Sequence, residues 1–223
     1  MSKSRGNVIN PNQIVETHGA DALRLYEMFM GPLTASLSWS DEGLNGVRKW
    51  LDRVYRYFNS HISEFGNSTT NDLDHAYNIF VKNVTNNIQK MNFNVAISDM
   101  MVFINYCYNS KIHNKFYCVN FLKILSCFAP HIAEELNMLL GNNVSITLGK
   151  WPSFDENKTK SANVRLPIMI NGKLRDVILV KIGAVEDEVL KMVLQLPKIK
   201  NYVSGKKIKK VIFVIDKIIN LII

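Results

Sequence analysis

Basic side chains near the end of the chain are the residues best suited to a defined chemistry. Residues 156–223 contain fourteen Lys and Arg but only six Asp and Glu, so they hold the whole net charge of +8. Four of these lysines surround one predicted turn: Lys206, Lys207, Lys209 and Lys210. Ammonium groups clustered in this way suit contacts with nucleic-acid phosphates, which position the polymer without reading its sequence. A solvated lysine-rich face has the same composition, and composition alone leaves both interpretations open.

A second basic pair lies beside a predicted hairpin turn. Asn171-Gly172 is the strongest short hairpin signal in the chain, and Lys173 and Arg175 stand next to it. These two side chains are candidates for a second phosphate contact. Solvated charges at a hairpin tip are the alternative, and the spacing alone does not decide between them.

The cysteines and histidines show no spacing typical of a metal or redox site. Cys107, Cys118 and Cys127 are an odd number without a C-x-x-C pair, and the five histidines are scattered along the chain. We therefore expect buried structural thiols and no metal site in this chain.

Composition and hydropathy predict a globular cytoplasmic protein. The 223 residues are 47% hydrophobic and 21% charged, enough for one large domain or two smaller ones. The longest apolar stretches, 100–104 and 218–223, fall far short of the roughly 20 residues that a membrane span needs. The polar first residues lack the apolar core of a secretory signal.

Apolar periodicity predicts helices over most of the chain. Two short helices are expected over 10–18 and 20–30, separated by Gly19. Ser40 is a good N-cap for the next helix, whose apolar residues recur at helical spacing: Leu44, Val47, Leu51, Val54 and Phe58. A polar loop over 66–74 precedes further helices over 76–91, 94–108 and 116–140, the last interrupted at Pro130. Together these helices predict an antiparallel bundle over 41–150.

The period changes near residue 164, after an expected linker over 151–163. Apolar residues alternate on both sides of the Asn171-Gly172 turn, which indicates two strands. Helices are expected over 186–196 and 199–204, and strands over 209–215 and 218–223. The predicted fold class is therefore mainly α: a helical bundle followed by a small α+β domain over 164–223.

Several motifs in order along the chain carry a family resemblance. Met-Ser-Lys-Ser at 1–4, followed by Arg-Gly-Asn-Val-Ile-Asn-Pro, resembles the K-M-S-K-S signature loop of class I aminoacyl-tRNA synthetases. The motifs at 19–24, 29–33 and 39–40 resemble bacterial-type leucyl-tRNA synthetases in particular. Further matching motifs stand at 91–94, 129–136, 151–152 and 171–175. The resemblance covers essentially the whole chain.

The resemblance implies an organisation and a function. Residues 1–40 correspond to the signature loop and the end of the catalytic domain, the bundle to the anticodon-binding domain, and the tail to a domain that contacts the outer corner of tRNA. The chain is then the C-terminal part of a leucine–tRNA ligase, contributing to the ATP-dependent charging of tRNA(Leu). ATP is expected as a substrate, with Mg²⁺ accompanying it.

The resemblance also implies roles for residues of the signature loop. Ser2, Lys3 and Ser4 are expected to bind ATP, and Lys3 is expected to be catalytic. When leucine attacks the α-phosphate, negative charge shifts towards the departing pyrophosphate, and a lysine on a glycine-adjacent loop can meet that charge more strongly in the transition state. Without the surrounding motifs, Lys3 is more simply a solvated lysine near a terminus.

The sequence departs from the family at several points. The leading lysine of the signature, the H-I-G-H signature, the nucleotide-binding fold and the editing domain are absent from these 223 residues. We therefore expect the isolated chain to be inactive and to need the missing N-terminal part as a partner. The alternative function is a freestanding tRNA-binding module without catalysis. A third hypothesis, a fragment of a valyl or isoleucyl enzyme, is disfavoured by the 171–175 hairpin and the small last domain. Asn137 replaces an expected aromatic residue.

Overall fold

The computed structural model describes residues 8–160 and 163–223, and the chain divides into two compact units, Met1–Thr159 and Lys160–Ile223. The described part of the first unit is helical, and the second is a small α+β unit. The predicted fold class is confirmed. None of the described helices is both long and apolar enough to cross a membrane.

The first unit contains seven α-helices among its described residues. They are α1 (Pro11–His18), α2 (Ala20–Phe29), α3 (Asp41–Ser60), α4 (Asn71–Gln89), α5 (Phe93–Asn109), α6 (Lys115–Leu125) and α7 (Pro130–Leu139), followed by 3₁₀ turns at Ile146–Leu148 and Glu156–Thr159. Side-chain caps fix several starts, as at Ser40, whose Oγ accepts a hydrogen bond of 3.1 Å from the Gly43 amide. Helix α4 begins earlier than predicted because Thr70 caps it in the same way, at 3.2 Å from the Leu73 amide. The polar residues after Thr70 therefore form a first helical turn.

The core of the first unit lies between α3 and the helices that follow it. All five apolar residues that predicted α3 are buried. Aromatic rings fill much of the space, and Phe80 on α4 stacks on Phe103 of α5 with ring centroids 4.4 Å apart. Cys107 and Cys118 are buried as predicted, but Cys127 is exposed because it follows the last turn of α6 at an outer corner.

Helix α2 is joined to the corner between α6 and α7 by polar contacts. Pro130 begins α7, and the next two amides receive no partner from the helix itself. The carboxylate of Asp21 accepts from the Ile132 amide at 2.7 Å and the His131 amide at 3.3 Å, and from His131 Nδ1 at 2.8 Å. Arg24 donates to the carbonyls of Phe128 at 3.1 Å and Cys127 at 3.2 Å. Residues before the bundle therefore complete one of its helix ends.

The segment after Trp151, expected as a linker, lies against α4 up to Thr159. Asn78 Oδ1 accepts from the Asp155 amide at 2.6 Å, and Lys158 Nζ lies 2.6 Å from an oxygen of Asp74. Burial raises the pKa of Asp74, but hydrogen bonds from Lys158 and Tyr117 outweigh it and hold that pKa below its usual value. The carboxylate thus stays ionised where it ties this segment to α4.

The second unit is a four-stranded sheet with two helices. Its strands are β1 (Asn163–Ile170), β2 (Lys173–Lys181), β3 (Lys210–Val214) and β4 (Ile218–Ile222), in the order β2-β1-β4-β3, and its helices are α8 (Glu186–Gln195) and α9 (Pro197–Val203). The β1–β4 pair is parallel and the other two pairs are antiparallel. One face of the sheet packs on the helices through a buried core: Leu166, Ile168, Ile170, Val180, Val189, Val193, Ile199, Ile219 and Leu221.

A register shift changes the predicted alternation of β2. The pairing of β1 with β2 shifts between Ile168 and Met169, so Leu174 pairs with Met169. Leu174 is therefore 58% exposed, although its spacing predicted the same face as Ile178 and Val180. The bulge turns one apolar side chain out of the core.

We expect Asp21→Asn to lower the free energy of unfolding of the first unit by about 1–3 kcal/mol, because the amide accepts through only one oxygen and leaves a partly buried N–H without its acceptor. Urea unfolding followed by far-ultraviolet circular dichroism measures the change. Glu16→Gln is a matched control, since Glu16 lies exposed on α1. Equal losses in the two variants would contradict a capping role for Asp21.

Candidate nucleic-acid interface

The lysine cluster lies in the turn that joins α9 to β3. Gly205 has a positive φ of 71°, which a residue without Cβ adopts without strain. The Lys206 amide then donates to the Val203 carbonyl at 3.0 Å, and the Lys209 amide donates to the Ile222 carbonyl at 2.8 Å. The four lysines of this cluster are exposed, and none is in an ion pair with a described acidic side chain. They form a positive surface available to an external anion.

The sheet topology brings Lys173 to the same end of the sheet as this cluster. Lys173 begins β2 opposite Ile170, and Ile170 lies opposite Leu221 on β4. Lys210 begins β3 opposite Ile222, the next residue of β4. Three strand spacings, or about 14 Å, therefore separate the first and last strands at this end. Two basic groups distant in sequence share one end of one sheet.

Arg175 is held by another residue of the unit. Its Cζ lies 4.5 Å from the ring centroid of Tyr202 on α9, and Nη1 donates to the Tyr202 hydroxyl at 3.3 Å. The side chain is half-buried, unlike Lys173, which is exposed. Arg175 thus ties the hairpin to the helix that leads into the lysine cluster. Sequence reasoning missed Tyr202 because nothing in the spacing pairs a residue with one 27 positions away.

The basic residues of α3 are partly neutralised. Arg48 Nε lies 3.1 Å from Asp52, and Arg48 Nη1 donates to the His18 carbonyl at 2.8 Å. Arg53 lies over the ring of Tyr108 with 4.9 Å to its centroid. Arg48 and Arg53 of α3 are therefore engaged in contacts within the unit. The lysines in the turn before β3 have no ion pairs with described acidic side chains.

Ser2, Lys3 and Ser4 lie outside the described residues, so their predicted roles stay predictions. The structure describes the chain from Val8, just before α1 and α2. Gly19, between these helices, has a φ of 88° and donates its amide to the Val15 carbonyl at 3.0 Å. The motif at 19–24 therefore carries a turn glycine together with Asp21 and Arg24, the two residues that join α2 to the bundle.

The family motif on α7 also has a structural role. Glu134 accepts hydrogen bonds from the Ser145 hydroxyl and the Ile146 amide, and these bonds hold its pKa below the usual value. Asn137, found where an aromatic residue was expected, is buried and donates to the Val144 carbonyl at 3.0 Å. The departure is accommodated because the buried amide has hydrogen-bond partners.

Comparison with protein families agrees with these motifs. Residues 71–190 match the anticodon-binding domain of tRNA ligase, and residues 1–40 match the tRNA synthetases of class I (I, L, M and V). The chain belongs to the family of anticodon-binding domains of tRNA ligases. The resemblance to leucyl enzymes that the sequence predicted is confirmed by curated relatives.

Curated relatives are leucine–tRNA ligases. That of Mycoplasma capricolum subsp. capricolum is 48% identical over 225 residues, and that of Ureaplasma parvum serovar 3 is 47% identical over 227. In both cases the match covers 100% of this chain and 28% of the relative. The chain thus spans just over a quarter of the length of the curated relatives it matches.

A solved structure is also similar over the whole chain. It is the ternary complex of Agrobacterium radiobacter K84 agnB2 LeuRS with tRNA and LeuAMS, with a TM-score of 0.73 and 29% sequence identity. The match covers 100% of this chain and 31% of that one.

The different environments of Lys173 and Arg175 predict different effects on stability. Arg175→Ala should speed amide hydrogen exchange in β2 and α9, because it removes a stacking contact worth about 1 kcal/mol and a hydrogen bond. Lys173→Ala should leave exchange unchanged. Hydrogen exchange followed by mass spectrometry tests both, and equal protection in the two variants would show that the Tyr202 contact does not stabilise the unit.

Proposed function

We propose that this chain forms the tRNA-binding part of a leucine–tRNA ligase and acts in the ATP-dependent charging of tRNA(Leu) in the cytoplasm. The observation that carries the proposal is the 48% identity to a leucine–tRNA ligase across the whole chain. The family match of residues 71–190 and the free lysines at one end of the second sheet support the same function.

The lysines of the second unit would act on the tRNA backbone. Lys206, Lys207, Lys209 and Lys210 place four ammonium groups in one turn, and Lys173 adds a fifth at the same end of the sheet. Contacts of this kind release counterions from the phosphates, which gives affinity and orientation but little sequence discrimination. Arg175 belongs to the proposed surface mainly as a residue that holds the hairpin against α9. The domain division proposed from the sequence assigns this surface to residues 164–223.

The signature residues Ser2, Lys3 and Ser4 would supply one corner of an ATP site. The match of residues 1–40 to class I synthetases supports this assignment. Lys3 would meet the negative charge that develops on the departing pyrophosphate, and the serines would shape the loop. Mg²⁺ would enter with ATP as part of the substrate. The remaining three-quarters of the enzyme would supply the H-I-G-H signature and the leucine pocket, as a covalent or separate partner.

Binding of tRNA(Leu) by this chain should weaken steeply as salt increases. Changing all four clustered lysines to Ala should flatten the slope of log K against log salt by about 0.7 to 0.9 per lost phosphate contact. Fluorescence anisotropy with labelled tRNA at several salt concentrations measures the slope.

A matched control separates the local cluster from net charge. Lys90, Lys111, Lys150 and Lys191 are exposed elsewhere, and changing them to Ala removes the same charge. The control should alter the slope much less than the cluster variant. Equal slopes for the cluster variant and the unchanged chain would place the RNA surface elsewhere.

The role of Lys3 requires a complex of this chain with the N-terminal part of a leucine–tRNA ligase. The isolated chain should show no leucine-dependent pyrophosphate exchange, because one lysine cannot supply the binding and orientation that make up much of an enzyme's rate advantage. In the active complex, Lys3→Ala should slow adenylate formation about 100-fold or more while leaving leucine affinity nearly unchanged. Transfer from preformed adenylate to tRNA should lose less.

Single-turnover kinetics separates the two steps, with Lys90→Ala as a control that removes an exposed lysine elsewhere. Equal losses in adenylate formation and transfer would assign Lys3 a structural role. Retained tRNA binding with no N-terminal part that restores charging would instead favour a freestanding tRNA-binding module.

A further inference from the structure

Three potential metal ligands meet at the end of α3, although their sequence spacing gave no sign of a site. His61 follows the last residue of α3, Glu64 lies one turn further on, and His113 lies between α5 and α6. One ligand atom from each of the three residues lies within 4.8 Å of those from the other two. His113 is buried, His61 is half-buried and Glu64 is exposed, so the cluster opens to solvent on one side.

The backbone fixes the two loops that carry these residues. The Gly66 amide donates to the His113 carbonyl at 3.0 Å, and the Lys115 amide donates to the Gly66 carbonyl at 2.8 Å. Asn114 adds a side-chain bond of 3.0 Å to the Ser68 carbonyl. The loop after α3 is therefore joined to the loop before α6 by main-chain contacts. These contacts hold His61 and Glu64 beside His113.

Hydrogen bonds orient both imidazole rings as in metal sites. His61 Nδ1 lies 2.9 Å from the Tyr57 carbonyl, and because a carbonyl only accepts, this nitrogen carries the proton. The Nε2 atom of neutral His61 is therefore a lone-pair donor. His113 Nδ1 lies 3.0 Å from the Tyr57 hydroxyl. In the tautomer whose Nδ1–H donates to that hydroxyl, Nε2 keeps its lone pair and faces Glu64. Metal-bound histidines usually have their second ring nitrogen held by a partner of this kind.

The separation between His113 and Glu64 also fits a shared cation. His113 Nε2 lies 3.4 Å from Glu64 Oε2, longer than the 2.7–2.9 Å of a good charge-assisted hydrogen bond. Two ligands at about 2.0–2.1 Å from a tetrahedral Zn²⁺ lie about 3.3 Å apart. The ring centroids of His61 and His113 are 4.1 Å apart, so the two imidazole rings lie side by side. The three ligand atoms lie within 4.8 Å of one another, so rotation of the exposed Glu64 side chain and a shift of His61 would bring them to the separations of a zinc site.

We propose that His61, Glu64 and His113 bind one Zn²⁺ ion, with solvent at the fourth position. Two imidazoles and one carboxylate are a ligand set that zinc accepts, and an open position is usual where the protein supplies three ligands. The ion joins the loop after α3 to the loop before α6. The proposal is independent of the proposed function, since none of the three residues belongs to the signature loop or the lysine surface.

Zinc titration of the full chain, purified without a histidine tag and treated with a chelator, tests the site. Competition with a chromogenic zinc indicator should show one Zn²⁺ per chain, and zinc should raise the thermal unfolding midpoint. Co²⁺ substituted at the same site should give the visible absorption of a four-coordinate ion. His61→Gln and Glu64→Gln should each weaken zinc binding about tenfold or more.

Controls distinguish this site from adventitious binding. His75→Gln removes a half-buried histidine elsewhere, and Cys127→Ser removes the exposed thiol; neither should change zinc affinity. The Gln variants at 61 and 64 avoid His113, whose loss from the Tyr57 contact could prevent folding. No stoichiometric binding, or binding unaltered by His61→Gln and Glu64→Gln, would overturn the proposal.

Discussion

The arrangement of the first unit depends on the carboxylate of Asp21. Pro130 ends any continuous helix from α6 and begins α7 with two amides that lack intrahelical acceptors. A buried amide without an acceptor costs about 1–3 kcal/mol, so α7 needs an anion at its start. Asp21 supplies that anion from α2, over 100 positions earlier in the chain. The contact makes α2 part of the same structure as the bundle.

In the second unit, the turns that carry the basic residues are held in place mainly by main-chain hydrogen bonds to β4. The Asn171 amide donates to the Leu221 carbonyl at 2.9 Å, and its side chain accepts from the Ile223 amide at 3.1 Å. These bonds tie the hairpin turn to the last strand, and the Lys209 amide ties the following turn to the same strand. The bases of long, mobile lysine side chains are therefore rigidly placed. Such an arrangement suits phosphate contacts, which need a fixed density of charge more than fixed side-chain geometry.

Local chemistry made much of this fold predictable. Ser40, Pro130 and Asn171-Gly172 act through their own and neighbouring backbone groups, so sequence alone places a helix start, a helix break and a hairpin. The missed features depend on residues distant in sequence. The bulge at Arg175 in β2 that exposes Leu174 arises from strand pairing, and the contact of Arg175 with Tyr202 depends on how α9 packs.

The candidate sites show the same limit. Charge concentration in residues 156–223 was visible in the sequence, but the shared sheet end of Lys173 and Lys210 follows only from the strand order β2-β1-β4-β3. His61 and His113 give no ligand spacing, because two loops joined by main-chain bonds bring them together. Sequence therefore indicates which side chains could bind an anion or a metal ion. Topology decides which of those side chains can bind the same ion or polymer.

The two units use their charges differently, and this difference bears on where an anionic polymer binds. In the first unit, several charged side chains join segments to one another: Asp74 holds Lys158, Glu156 holds Lys82, and Arg24 holds the corner between α6 and α7. If Lys158, Lys82 or Arg24 bound an external phosphate instead, the contacts that order the bundle would break. The lysines before β3 have no such contacts within the described residues, so binding a phosphate costs them only side-chain entropy. The contacts proposed between RNA and the second unit can therefore form without lowering the stability of the first.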